Sequence, residues 1–131
     1  PLGKNPADVW EITNVKNNHP EKTQHPCQFP IELIERLVLS MTNPGDIILD
    51  PYLGVGSALC AAVIHNRKGY GSDIMKEYLN IAEERIKAAA DGTLERRLMG
   101  TPVYQPTNGV KLAETPDEFK KARENLFGSR F

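Results

Sequence analysis

The chain has 131 residues, the size of one ordinary domain and too short for two full ones. Apolar residues make up 40% and charged residues 25%, a soluble globular composition that excludes a disordered or fibrous chain. Sixteen basic and seventeen acidic side chains leave a formal charge of −1, which argues against a binder held to nucleic acid by charge alone. The longest apolar run, Ala58 to Ile64, falls far short of the roughly 18 residues of a membrane span, so no membrane partner is expected. Cys27 and Cys60 are too few for a disulfide framework and read as reduced thiols of a cytosolic protein. The chain opens on Pro1, not methionine, which reads as a processed start or a piece of something longer.

Residues 1–30 carry five prolines and read as an extended segment. Residues 31–91 hold the regular periodicity of a core, and residues 92–131 read as an arm followed by a capped helix. Within the core, Pro30 suits the first turn of a helix, and Ile31, Ile34, Leu37, Val38 and Met41 recur at helical spacing. Asn43-Pro44-Gly45 ends it with turn chemistry. Ile47-Ile48-Leu49 is a short continuous apolar run, the pattern of a strand buried on both faces, stopped at Asp50-Pro51.

A loop holding Gly54 and Gly56 leads into a helix over residues 57–66, with Leu59, Ala62, Val63 and Ile64 on its buried side. Lys68-Gly69 breaks that helix, and Tyr70 to Ser72 forms a second strand closed by Asp73. An amphipathic helix follows over about residues 75–90, facing inward through Tyr78, Leu79, Ala82, Ile86 and Ala89 and stopping at Asp91-Gly92. Residues 94–110 read as an irregular arm, and Thr115-Pro116-Asp117-Glu118 is a capping box opening a helix that ends at Gly128. The fold class is α/β, a partial Rossmann-like sheet of parallel strands flanked by helices.

Strand, glycine loop, helix, strand and acid, in that order, make half of a nucleotide-binding unit. Asp73, seventeen residues after Gly56, stands where a carboxylate accepts hydrogen bonds from both hydroxyls of a ribose. Asp50, directly after the first strand, repels a pyrophosphate but accepts from an ammonium group, which favours a partly cationic ligand such as S-adenosylmethionine over a dinucleotide. A βαβ segment with tight turns and a surface acid is the plainer alternative.

Several linked motifs carry a resemblance. His25-Pro26-Cys27-Gln28-Phe29-Pro30, then Leu33-Ile34-Glu35-Arg36-Leu37, then Gly45-Asp46-Ile47-Ile48-Leu49-Asp50-Pro51-Tyr52 resemble the DNA amino-methyltransferases of the permuted class. Gly71-Ser72-Asp73, Tyr78 and Ala82-Glu83-Glu84-Arg85-Ile86 match that family's second strand end and following helix, and Gly3 to Trp10 resembles the stretch before its cofactor motif. The resemblance spans residues 3–87 and implies transfer of a methyl group from S-adenosylmethionine to N6 of adenine or N4 of cytosine in DNA. It also implies a cytoplasmic enzyme of prokaryotic or phage-like origin, of the kind found in restriction-modification.

By position, the resemblance places Cys27, Gln28 and Phe29 at the methionine end of the cofactor. Asp50, Tyr52, Gly54, Gly56 and Ser57 then form the loop around it, with Asp73 on the ribose and Ile74 on the adenine. The chain departs from the family pattern at Phe29, where a lysine is usual, at Cys27, where a threonine is usual, and in a loop with one hydroxyl instead of three. The family's catalytic [DNS]-P-P-[YFW] tetrapeptide occurs nowhere in the sequence. The resemblance therefore implies a cofactor-binding portion whose catalytic half lies in a second polypeptide or a missing N-terminal part; a non-catalytic subunit with a structural role is the alternative. Two parallel strands also make too small a sheet to stand alone. The exposed edge is expected to be covered by a partner, by self-association or by the arm at 94–110.

His19, His25 and Cys27 lie without a second nearby cysteine and do not read as a metal site. Trp10 reads as a packing anchor, Cys60 as a buried thiol without chemistry, and Arg96, Arg97 and the later basic residues as a solvated face.

Overall fold

A computed structural model describes residues 9–16 and 18–103. The capped helix expected at Thr115–Gly128 and most of the opening stretch lie outside the described residues. Among the described residues five elements follow one another: α1 (Ile31–Met41), β1 (Ile47–Asp50), α2 (Ser57–Ile64), β2 (Lys68–Gly71) and α3 (Lys76–Ala90). β1 and β2 pair in parallel, Ile47 against Lys68 through Asp50 against Gly71, with α2 as the crossover. No helix among the described residues is long and apolar enough to cross a membrane.

α1 begins one residue after Pro30, which has no side chain to cap it. The cap comes from afar: the buried Glu21 carboxylate accepts the Ile31 N–H at 2.8 Å, satisfying a first-turn donor and placing negative charge at the positive end of the helix. At the other end the Thr42 hydroxyl donates to Val38 O, and Gly45 turns the chain at φ +91° into β1.

α2 is the centre of the fold, touching both strands and both other helices. Its residues Ser57 to Ala62 are all buried, and most are small, so neighbours approach on every side. It ends at Ile64 because the chain turns through Asn66 at φ +60°, one of the residues that tolerate the left-handed region.

Two expectations are corrected here. The second strand runs from Lys68 to Gly71, not from Tyr70 to Ser72. Gly69, read as a breaker in sequence, is a strand position, and both glycines of β2 are pressed against neighbours. A Cβ on Gly69 would lie 2.6 Å from Leu59 Cγ, and one on Gly71 would lie 2.9 Å from Leu53 Cδ1. The strand keeps them because a side chain on Gly69 would push α2 off the sheet and one on Gly71 would meet Leu53 and the Asp50 carbonyl.

The second correction concerns β1, which is covered on one face only. Ile48 packs into the core beneath α2, whereas Ile47 and Leu49 point the other way and are 65% and 71% exposed. Tyr70, paired with Leu49, is exposed on the same face. The apolar run is that of a strand buried on both sides, and the described residues supply only one of them.

The arm also departs from expectation. Residues 94–103 do not lie along the edge of β1. They cross to the far side of α1, where Arg96 places Nη1 2.9 Å from both oxygens of the buried Glu35, whose Oε1 is also 2.9 Å from His65 Nε2. The Arg97 N–H donates to Glu21 Oε1 and the Gly100 N–H to Glu32 Oε1, each at 3.2 Å. Arg96 and Arg97 are thus structural partners of three buried carboxylates and not a solvated face. Isolated glutamates cannot be buried charged, so the arm and the helix need each other.

Candidate cofactor cleft

The carboxyl ends of β1 and β2 lie side by side, where ligands of open parallel sheets bind. The chain leaves β1 at Asp50 and turns at once, because Asp50 Oδ1 accepts the Tyr52 N–H at 3.0 Å. The two strand ends are then stitched together: Leu53 N–H donates to Ser72 O at 2.9 Å and Ser72 N–H to Asp50 O at 3.1 Å.

Asp73, two residues beyond β2, reaches back across this seam. Its Oδ2 accepts the Gly54 N–H and its Oδ1 the Met75 N–H, both at 2.8 Å. These two backbone donors hold the carboxyl below its ordinary pKa, the Met75 bond being the larger cause. Each oxygen retains a second lone pair, so an ionised Asp73 still has acceptor capacity for a diol. A cleft of about 250 Å³ opens beside it, lined by Pro51, Tyr52, Ser72, Asp73 and Ile74. Tyr52 is 87% exposed and Ile74 98%, two apolar surfaces with little protein on them at the mouth of the cleft.

On the other side of Tyr52 a smaller hollow of about 80 Å³ is lined by His25, Cys27, Gln28, Phe29, Leu53, Gly54, Val55 and Ser57. The structure therefore brings nine of the ten expected site residues, all but Gly56, around two hollows that share Tyr52 or onto β1 beside them. The tenth, Gly56, sits behind the loop as the N-cap of α2, at φ +79°, and a Cβ there would lie 3.0 Å from that of Ala82. Its absent side chain serves the packing of α2 against α3. Gly54, at φ +52°, lies under the His25 ring, which in turn stands edge-on to Tyr78 with centroids 4.5 Å apart.

Two of the polar side chains in the set face protein. The Gln28 amide donates to Glu21 O at 2.6 Å and accepts from the Thr23 N–H and hydroxyl, so it fixes the approach to the loop. The Ser57 hydroxyl donates to Phe29 O at 3.0 Å, tying the Cys27–Phe29 segment to the start of α2. Both set the shape of the hollow from behind.

One supporting residue has a signal that sequence reasoning missed. Arg85 is buried in α3 and donates to Val55 O and Ser57 Oγ, bracing the glycine loop from below. Burial pulls its pKa below the ordinary arginine value, an effect partly offset by Cys60 and Glu21 nearby. Its position in line with Tyr78, Ala82 and Ala89 puts a cation on the apolar stripe of an amphipathic helix, a pattern that calls for a buried acceptor.

A family model described as DNA methylase matches residues 1–84. The type II methyltransferase M.BglII of Bacillus subtilis is 50% identical over 91 residues, 70% of this chain and 25% of its own length. M.HpaI of Haemophilus parainfluenzae is 38% identical over 102 residues, covering 76% of this chain and 32% of itself. The DNA adenine methyltransferase YhdJ of Escherichia coli is 35% identical over 92 residues, 70% of this chain and 31% of itself. The chain thus spans about a quarter to a third of the length of these curated relatives. Among solved structures, the complex of M1.HpyAVI with S-adenosylmethionine superimposes with a TM-score of 0.50 at 32% identity, over 63% of this chain and 42% of the other.

Proposed function

We propose that this chain, which belongs to the DNA methylase family, is the portion of a DNA amino-methyltransferase that binds S-adenosylmethionine. The observation that carries the reading is Asp73, anchored by Gly54 and Met75 at the rim of the cleft with acceptor capacity left over. The residues present fit the cofactor. Asp73 accepts the ribose hydroxyls, and the bare surfaces of Tyr52 and Ile74 flank an adenine. Asp50 uses Oδ1 on its own turn and offers Oδ2 to an ammonium group.

Bound S-adenosylmethionine supplies an electrophilic methyl on its sulfonium. The protein's contribution is orientation: a glycine loop fixed by Arg85, Asp73 and the Ser57–Phe29 hydrogen bond holds the donor in one pose, which lowers the entropic barrier to in-line attack by an exocyclic amine. The family's base-holding tetrapeptide is absent from this sequence, so the amine of adenine N6 or cytosine N4 is presented by another part of the methylase. DNA is accordingly a partner of the whole enzyme.

A second reading, a non-catalytic methylase-like subunit, rests on Phe29, an apolar side chain lining the hollow where the family carries a lysine. Calorimetric titration with S-adenosylmethionine separates the two. The cofactor reading predicts saturable binding weakened at least tenfold by Asp73→Ala; absence of binding by the folded chain in its assembled methylase favours the subunit.

A further inference from the structure

The buried carboxylate of Glu21 joins two segments that lie far apart in sequence. Its Oε2 accepts the N–H of Ile31, ten residues on, at 2.8 Å, and its Oε1 accepts the N–H of Arg97, 76 residues on, at 3.2 Å. The main chain of the same residue is tied to the smaller hollow. Glu21 O accepts the Gln28 amide at 2.6 Å, and Gln28 Oε1 takes the Thr23 N–H and hydroxyl, so residues 21–28 form a closed loop clasped by one glutamine. That loop carries His25, Cys27 and Gln28 into the wall of the hollow. A carboxylate suits the junction because each of its oxygens serves one donor, whereas an amide has a single acceptor oxygen.

The arm is seated on three carboxylates. Arg96 lies on Glu35 and the Gly100 N–H on Glu32, and Arg97 Nε stands 3.7 Å from Glu32 Oε2. The Arg97 guanidinium also donates to Thr101 O and Pro102 O, which folds the arm back on itself where its backbone meets Glu21. Glu32 and Glu35 belong to α1, whereas Glu21 belongs to the loop that walls the hollow. We propose that Glu21 is a positioning residue through which the arm at 94–103 latches that wall: the seated arm holds residues 21–28 in one shape, and a lifted arm slackens them. Lifting the arm leaves a buried carboxylate oxygen without its donor, a deficit that the loop relieves by opening toward water. On the cofactor reading, on which this proposal rests, residues 27–29 flank the methionine end, so the arm sets how tightly S-adenosylmethionine is held.

The test is amide hydrogen exchange together with calorimetric titration by S-adenosylmethionine, on the full chain in its assembled methylase. Arg97→Ala removes the bonds that fold the arm, and Glu21→Gln keeps one acceptor while setting a donor against the other N–H. Each variant should speed exchange at Thr23 and Ile31 by at least about tenfold and leave Ala82 and Ile86 of α3 at wild-type rates, because only a local latch opens. Each should also weaken the cofactor by about three- to tenfold. Leu98→Lys, at an exposed position of the same arm, should change neither reading. Arg97→Ala decides alone where Glu21→Gln fails to fold. Exchange quickened equally in α3 makes Glu21 a support of the whole fold and overturns the latch. So does an Arg97→Ala chain whose Thr23 and Ile31 amides, or whose cofactor affinity, stay at wild-type values. A wild type that takes up no S-adenosylmethionine, while Arg97→Ala still frees Thr23 and Ile31 selectively, removes the cofactor function and leaves the latch standing.

Discussion

Asp73 Oδ2 accepts the backbone N–H of Gly54 at 2.8 Å, so the acid after the second strand and the glycine loop after the first are one rigid unit. A carboxylate used in this way does two jobs. It fixes the loop, and it turns its remaining lone pairs to the cleft. Under the proposed function, substitution at Asp73 therefore acts on cofactor affinity and on loop order together.

The first prediction follows from the ionisation of that group. Its pKa is lowered in the folded chain from an ordinary 3.8 by two backbone hydrogen bonds. A lowered acid contributes stability that is fully present above the unfolded value and lost as pH falls through the folded one. Thermal melts of the wild type and Asp73→Asn should differ at neutral pH, and the difference should close as pH falls below 3.8. A gap that persists unchanged at pH 2 would mean that the hydrogen bonds are not charge-assisted.

A second prediction concerns the glycines. Gly69→Ala puts a Cβ 2.6 Å from Leu59 Cγ, and Gly56→Ala combines φ +79° with a 3.0 Å approach to Ala82. Each should cost about 1–3 kcal/mol in denaturant unfolding, the range for overpacking a tight core. Gly45→Ala, with φ +91° but open space around it, should cost only about 1 kcal/mol from backbone strain. Equal losses at all three would show that the close approaches to Leu59 and Ala82 do not set the requirement.

Third, Arg96 and Glu35 should be strongly coupled. Arg96→Ala strips the buried carboxylate of its main cation while leaving His65, so a loss of about 1–3 kcal/mol is expected, in the range for an under-satisfied buried group. In a double-mutant cycle with Glu35→Gln the two losses should fail to add by roughly 0.5–3 kcal/mol. Additive losses would mean that the arm is held by its backbone contacts alone.

Fourth, the two thiols should differ in reactivity. Cys27 is exposed, whereas burial pushes the Cys60 thiol up to about 11. A thiolate-specific reagent at pH 8 should modify one cysteine of the native chain rapidly and the second only on unfolding. Two equally fast reactions would show that α2 opens readily.

Much of the fold was legible because the elements carry strong local signals. The α1 stripe, the 76–90 helix and the turns at Gly45, Gly54, Gly56 and Gly92 follow from periodicity and turn chemistry, and Asp73 sits two residues past the end of β2. What sequence could not reveal depends on contacts between distant residues. Gly69 reads as a breaker until Leu59 is seen against it. Arg96 and Arg97 read as solvated until Glu21, Glu32 and Glu35 are found beneath them. Gln28 and Ser57 have the chemistry of ligand-binding residues, yet their hydrogen bonds go to Glu21, Thr23 and Phe29 in the segment before α1.

The most direct test of the cofactor proposal is an amide-resolved NMR titration of the isotopically labelled chain in its assembled methylase with S-adenosylmethionine. Saturable shifts confined to Tyr52, Gly54, Asp73, Ile74 and Met75, and lost in Asp73→Ala, are the predicted result. An unchanged spectrum, or shifts confined to α1 and the open side of β1, would contradict the assignment of the cleft to the cofactor.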